Sequence, residues 1–189
     1  CAEPLAAGRL AHASGATVLV TRYLEGARDL AEASREGLLD GPARHRTARA
    51  LGVFMRTLHD AGFIHHDATA MNFMTTITGD TVRLWAIDLK RMKHLGELTD
   101  DHRKRNLTTL FRTMRRIGSW TDYHRFLASY LGDPWADRRK AWARELQVRG
   151  TAELTRYLWR WSEPGYMVSR RRLDVSQRAG VLWHTRQGR

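Results

Sequence analysis

Between Pro42 and Asp88 the sequence changes character three times in a fixed order, and any fold for the chain must accommodate that order. Leu51, Phe54, Met55 and Leu58 recur at i, i+3, i+4 and i+7, the spacing of one apolar helix face. Pro42 suits the first turn of that helix, and Gly62 sits where it should stop. The stretch "FIHHDATAMNF", Phe63 to Phe73, then places a polar Asp-and-Asn cluster between apolar bookends. Two short strands follow, "NFMTTI" and "TVRLWAIDL", separated by "TGD". A Gly-Asp pair at that point predicts a type II′ hairpin, whose backbone matches the natural twist of the flanking strands.

Around this segment the signals are more ordinary. "TVLVTRYL" (Thr17–Leu24) is β-branched and apolar between Gly15 and Gly26, and reads as a strand running into a connector. "ARDLAEAS" reads as a short helix. Leu107, Leu110, Phe111, Met114 and Ile117 form one helical stripe. Tyr123, Phe126, Leu127, Tyr130 and Leu131 form another, with Thr121 expected as N-cap and Asp122 in the first turn. Pro134 is expected to open a helix over "WADRRKAWARELQ", and "AELTRYLWRW" to form one more. The arginine-rich last 25 or so residues have weak periodicity, and no regular order is expected there. The predicted class is α+β: strand, connector, helices, polar loop, hairpin, then helices to the end.

A chain of 189 residues suits one domain, or one large lobe with a remnant of another. Its hydrophobic share is 42%, with seven tryptophans, which supplies a core; that composition argues against wholesale disorder. The net charge of +12 and pI of about 10.9 favour phosphate-rich partners: a nucleotide, an anionic membrane surface or nucleic acid. The single cysteine, Cys1, excludes an internal disulfide framework and a cysteine zinc site, and fits a reducing cytoplasm. No apolar run approaches the roughly 18 residues of a membrane span.

The polar cluster fits phosphoryl transfer. That reaction needs a carboxylate to orient and deprotonate the attacking hydroxyl, and oxygen ligands to hold a divalent metal against the phosphates. Asp67 and Asn72 fit those two tasks if the loop between them arches. Asp88, ending an apolar strand at "WAIDL", is the candidate second metal ligand. Taken alone, Asp67 and Asn72 would also fit a polar turn, and Asp88 a strand-end carboxylate paired with Lys90 or Arg91. The three together favour the site. His65 and His66 are neighbours in an extended loop and point in different directions, which is poor geometry for shared metal ligation. The tryptophans read mainly as core, although arginines interleaved in "RYLWRW" also suit an anionic membrane surface.

"LHDAGFIHHDATAMN", followed after the hairpin by "LWAIDLKR", resembles the catalytic core of the protein-kinase-like superfamily. Within it, the sequence is most similar to the lipopolysaccharide kinase family, the Kdo and heptose kinases of Gram-negative bacteria. The later "RNLTTLFRTMRR" and "YHRFLASYLG" helices share that likeness, which spans roughly Thr17 to Gly132. The resemblance implies a mainly helical C-terminal lobe over 27–189, and a remnant of the N-terminal lobe with its hinge over 1–26. It implies Asp67 as the catalytic aspartate, Asn72 and Asp88 as magnesium ligands, and His65 as support beneath the loop. The hinge at "VTRYLEG" would meet adenine through backbone groups near Arg22 and Leu24. ATP and Mg2+ would be cofactors, and the acceptor a lipid-linked core sugar. The expected setting is cytoplasmic, with peripheral contact to the anionic inner membrane; no specific nucleic acid is expected.

Departures from the family pattern sharpen this expectation. The first lysine in the sequence is Lys90, so the strand lysine that grips ATP phosphates has no counterpart in residues 1–24. The chain therefore reads as a fragment, with little or no catalysis expected of it alone. Two alternatives stand beside the sugar kinase. Aminoglycoside-type phosphotransferases usually place Gly between the loop's His and Asp, where this chain has His66. A pseudokinase or basic binding module is the other.

Overall fold

The computed structural model describes residues 3–9, 17–132, 136–162, 173–178 and 181–186. Of the features read from sequence, His12, Gly15, Pro134, Trp135 and the arginine run 170–172 lie outside these residues. The chain divides into two compact units, Cys1–Gln147 and Val148–Arg189. The class is mixed, with four small antiparallel sheets and five helices among the described residues.

The first unit opens with β1 (Pro4–Arg9) paired to β2 (Thr17–Thr21). The predicted strand thus ends at Thr21, three residues before Leu24. β3 (Arg28–Asp29) joins the edge of a three-stranded sheet, and Asp29 caps α1 (Leu30–Arg35) by accepting from the Glu32 N–H at 2.8 Å. The short helix therefore begins at Leu30; Ala27, Arg28 and Asp29 are drawn out of it by the strand and the cap. α2 (Gly41–Asp60) carries Pro42 in its first turn, as predicted, and buries Leu51 and Met55. β4 (Phe63–His65) follows directly, then a 3-10 turn over Ala70–Asn72.

β5 (Phe73–Thr78) and β6 (Thr81–Ala86) form the predicted hairpin, with Thr78 opposite Thr81. Gly79 takes φ 57° while Asp80 does not go positive, the pattern a type II′ turn requires. β7 (Met92–His94) returns to pair with β4.

The helical half is built on α3 (Asp100–Met114), α4 (Trp120–Leu131) and α5 (Ala136–Ser162). Leu107, Leu110, Phe111, Phe126, Leu127 and Tyr130 are all buried in one core with Leu51, Met55 and Phe73. α2 and α4 pack closely because residue 52 is glycine: a Cβ there would collide with the Phe126 carbonyl and the Ser129 side chain. The N-cap of α4 is Ser119, not Thr121. Asp122 stands at the third helical position after Ser119, so the two close a capping box: the Asp122 carboxylate accepts from the Ser119 N–H at 2.9 Å, and Ser119 Oγ accepts from the Asp122 N–H at 3.2 Å. Asp122 is buried, with Arg44 at 2.8 Å and Arg125 at 3.2 Å.

The two helices expected after Pro134 are one. α5 runs through Gly150 without a break; a single interior glycine costs about 1 kcal/mol, which a helix of 27 residues absorbs. In the second unit, β8 (Leu173–Arg178) and β9 (Val181–Arg186) pair antiparallel, Leu173 opposite Arg186 and Arg178 opposite Val181.

Candidate active site

The polar loop is held by hydrogen bonds that converge on His65, which is buried at 1% exposure. Its Nε2 lies 2.9 Å from the Ile87 carbonyl, an acceptor only, so the proton sits on Nε2. Nδ1 is then free to accept from the Asp67 N–H, 3.2 Å away. One imidazole thus spans the loop that carries Asp67 and the turn after β6 that carries Asp88.

Asn72 closes the loop from the other side. Its Nδ2 donates to the Asp67 carbonyl at 2.7 Å and to the Asp67 carboxylate at 3.0 Å. Both donations use the amide nitrogen, so Oδ1 remains available as a ligand. The Ile87 N–H donates to the Asn72 carbonyl at 3.0 Å, one step beyond the Phe73–Ala86 pair of the hairpin. Register therefore sets Ile87, the residue before Asp88, opposite Asn72. The middle of the loop is pinned to α3 by the Ala70 N–H, which donates to Thr113 Oγ1 at 3.0 Å.

Asp88 adopts φ 54° and ψ 49°, the one non-glycine residue with positive φ among the described residues. Sparsely populated backbone of this kind is a mark of functional sites when the surroundings enforce it. Here the Ile87 carbonyl is held by His65, and the Asp88 carbonyl accepts from the Arg91 N–H at 2.9 Å. The Asp88 carboxylate is half-buried, 3.6 Å from Lys90 Nζ.

Of the six residues singled out in the sequence, His65, Asp67 and Asn72 are joined by hydrogen bonds, and Asp88 follows Ile87, which bonds both His65 and Asn72. Arg22 and Leu24 take no part in these bonds. Arg22 donates its backbone N–H to the Glu3 carbonyl at 2.8 Å and pairs its guanidinium with the Glu3 carboxylate at 2.7 Å. The Leu24 carbonyl accepts from the Ala27 N–H at 3.2 Å. Among the described residues, none of these bonds reaches the loop. His66 is exposed, with its N–H on the Arg91 carbonyl at 2.9 Å.

The donor set suits a hard cation. No group of three or more His, Cys, Asp or Glu side chains capable of holding a metal occurs among the described residues. Asn72 Oδ1 and the Asp88 carboxylate instead offer two oxygens of the kind magnesium uses together with waters and substrate phosphates. A separate cavity of about 250 Å3 lies among Phe111, Met114, Arg115, Trp120 and Tyr123, and none of the loop residues lines it.

Sequence reasoning missed the layer beneath the loop. Asn106 of α3 accepts from the His65 N–H at 3.3 Å and donates to the His65 carbonyl at 2.6 Å. Its Oδ1 also lies 2.9 Å from His59 Nε2, while His59 Nδ1 lies 2.7 Å from the Tyr130 hydroxyl. Burial pushes His59 down to a pKa of about 4; its bond to Asn106 and the Asp60 charge oppose the shift, and Arg103 adds to it. The signal that could have revealed Asn106 is a carboxamide standing beside the apolar stripe that begins at Leu107.

Known proteins match this architecture. Among curated proteins, none matches the sequence. The solved structure of WaaP in complex with acyl carrier protein shares the fold, with a TM-score of 0.55 at 22% identity over 78% of this chain and 69% of that one. The model of the lipopolysaccharide kinase (Kdo/WaaP) family matches residues 4–130, a stretch that contains the helix, loop and hairpin described above. The chain belongs to the lipopolysaccharide kinase (Kdo/WaaP) family.

Proposed function

We propose that the site transfers the γ-phosphoryl group of ATP to a hydroxyl of a Kdo or heptose sugar in the lipopolysaccharide inner core. The carrying observation is the amide of Asn72 bridging Asp67, with Asp88 in a left-handed backbone next to Ile87, whose N–H the Asn72 carbonyl accepts. Asp67 orients the acceptor hydroxyl and takes its proton as the new P–O bond forms; the bond from the phosphorus to the ADP oxygen breaks. The Asn72 Nδ2–H bond keeps the Asp67 carboxylate aimed and lowers its freedom to rotate. Asn72 Oδ1 and the Asp88 carboxylate are the oxygens that would hold Mg2+, which when bound neutralises developing charge on the phosphates. His65 keeps the two halves of the site in register. Backbone groups near Arg22 and Leu24 are the proposed contact for adenine.

The acceptor is presented at a membrane, and the chain's charge of +12 suits peripheral attachment to anionic lipid on its cytoplasmic side. No helix among the described residues is long and apolar enough to cross a membrane.

The test is ATP turnover, with purified inner-core acceptors carrying Kdo or heptose, by this chain joined to a segment that supplies the strand lysine its residues 1–24 lack. Asp67→Asn should lower turnover by about 10²–10⁴-fold, the range for loss of a general base. Asp88→Ala should raise the magnesium concentration needed for half-maximal rate. Wild-type turnover in Asp67→Asn would sink the assignment of the base; an unchanged magnesium requirement in Asp88→Ala would sink that of the ligand.

A further inference from the structure

The bonds beneath the loop have a single direction. Asn106 faces the His65 N–H with its Oδ1 and the His65 carbonyl with its Nδ2. Flipping the amide would set a donor against a donor and an acceptor against an acceptor, so the backbone of His65 dictates the orientation. With Oδ1 fixed as acceptor, the facing Nε2 of His59 must carry the proton. Nδ1 of His59 is then an acceptor, and the Tyr130 hydroxyl donates to it. Arg103, on the same face, pairs with Asp60 at 2.7 Å. The donations therefore run one way: Tyr130 to His59, His59 to Asn106, Asn106 to His65, and His65 to Ile87.

This chain draws on α2 for His59, α3 for Asn106 and α4 for Tyr130, and it ends on the residue before Asp88. His59 and Asn106 are buried at 1% and 7% exposure, and Tyr130 at 2%. A buried carboxamide that grips both backbone groups of one residue fixes that residue's position and the plane of its peptides. His65 can reach the Asp67 N–H and the Ile87 carbonyl together only if its own backbone is so placed.

We propose that Asn106 is a positioning residue for the phosphoryl-transfer site, with His59 and Tyr130 holding its amide in the one orientation that serves. It touches neither nucleotide nor acceptor; it acts on Asp67 and Asp88 through His65. The proposal rests on the kinase reading above only for its kinetic consequence. The placement of the loop is measurable without turnover.

The experiment compares the wild-type chain with Asn106→Leu, which keeps approximate volume and drops every hydrogen bond, and Asn106→Asp, which keeps the accepting oxygens and drops the donation to the His65 carbonyl. Two readouts are taken: kcat and KM for ATP and acceptor, and hydrogen–deuterium exchange at the amides of His65, Asp67 and Ile87. Asn106→Leu should lower kcat by about 10–100-fold, since one to two lost hydrogen bonds of alignment act on the transition state, with KM for ATP changed little. Exchange at those three amides should accelerate well beyond that of the β5–β6 hairpin. Asn106→Asp should fall between the two. If Asn106→Leu does not fold, Tyr130→Phe is the milder break, with kcat expected to drop about 5-fold for one hydrogen bond and the same amides to loosen. Accelerated loop exchange in a protein whose wild type lacks turnover supports the clamp, because exchange reads the placement of the loop independently of catalysis. Exchange unchanged at the loop, or raised uniformly through the whole fold, overturns the positioning role.

Discussion

The first unit contains two antiparallel ribbons of nearly equal length, and they are stabilised in different ways. In β5–β6 the inner positions Phe73, Thr75 and Ala86 are buried, and Phe73 packs edge-on against Phe54 at 6.1 Å. In β1–β2 every residue of β1 is exposed, as are Val18, Leu19 and Val20. The second ribbon rests on its backbone ladder and the exposed Arg22–Glu3 pair, and surface pairs contribute little. A one-residue slip in β5–β6 would turn Phe73 to solvent, so its register is strongly specified. Among the described residues, no buried side chain comparably penalises a slip in β1–β2. The loop residues hang on the first ribbon and the segment proposed to meet adenine follows the second, so the two parts of the proposed site rest on differently specified strands.

Substitution can break this contrast. Phe73→Ala should destabilise the fold by about 4 kcal/mol, the usual cost of removing a buried aromatic ring, as read by urea unfolding. A loss under about 1 kcal/mol would show that the hairpin does not anchor the core.

Acid should act next in size, and only on the buried half. His59 has a folded pKa of about 4, below its ordinary 6.5, so the unfolded chain binds the proton more readily. Stability is therefore full above about pH 6.5 and declines as pH falls toward 4, by roughly 2 kcal/mol between pH 7 and 5. Asp122 works in the same direction at lower pH. Burial raises its pKa, but the Ser119 bonds and the Arg44 and His45 charges outweigh that and leave it lowered, so its contribution is lost only in stronger acid. Unfolding of His59→Gln at pH 7 and 5 separates the two: the wild-type decline over that interval should flatten. A decline that persists unchanged would place its origin elsewhere.

The smallest effect belongs to the exposed ribbon. Leu19→Ala should change stability by no more than about 0.5 kcal/mol, as surface substitutions do. A loss matching that of Phe73→Ala would mean that β1–β2 buries a face against something, and the comparison would fall.

Local signals made much of this fold legible. The α2 stripe and the Gly-Asp turn are each set by neighbours in sequence and stand where the sequence placed them. The strand expected to run to Asp88 stops at Ala86, because Asp88 turns into a left-handed backbone. Legibility fails where structure depends on distant partners or on competing local choices. Asn106 acts on residues 41 positions away, which no periodicity reports. β3, β4 and β7 are two or three residues long, too short to show alternation. β1 reads "PLAAGR", poor in β-branched residues, and becomes a strand through its partner. Thr121 and Ser119 both precede the α4 stripe; the carboxylate three residues after Ser119 decides between them.

The left-handed backbone of Asp88 has a consequence for anyone who would engineer this chain. An L-residue avoids that conformation by about 1 kcal/mol, whereas glycine enters it freely. A screen that rewards only heat tolerance should therefore favour Asp88→Gly, and in doing so discard the one carboxylate this corner of the backbone presents. Robustness and chemistry make opposite demands on a single Cα.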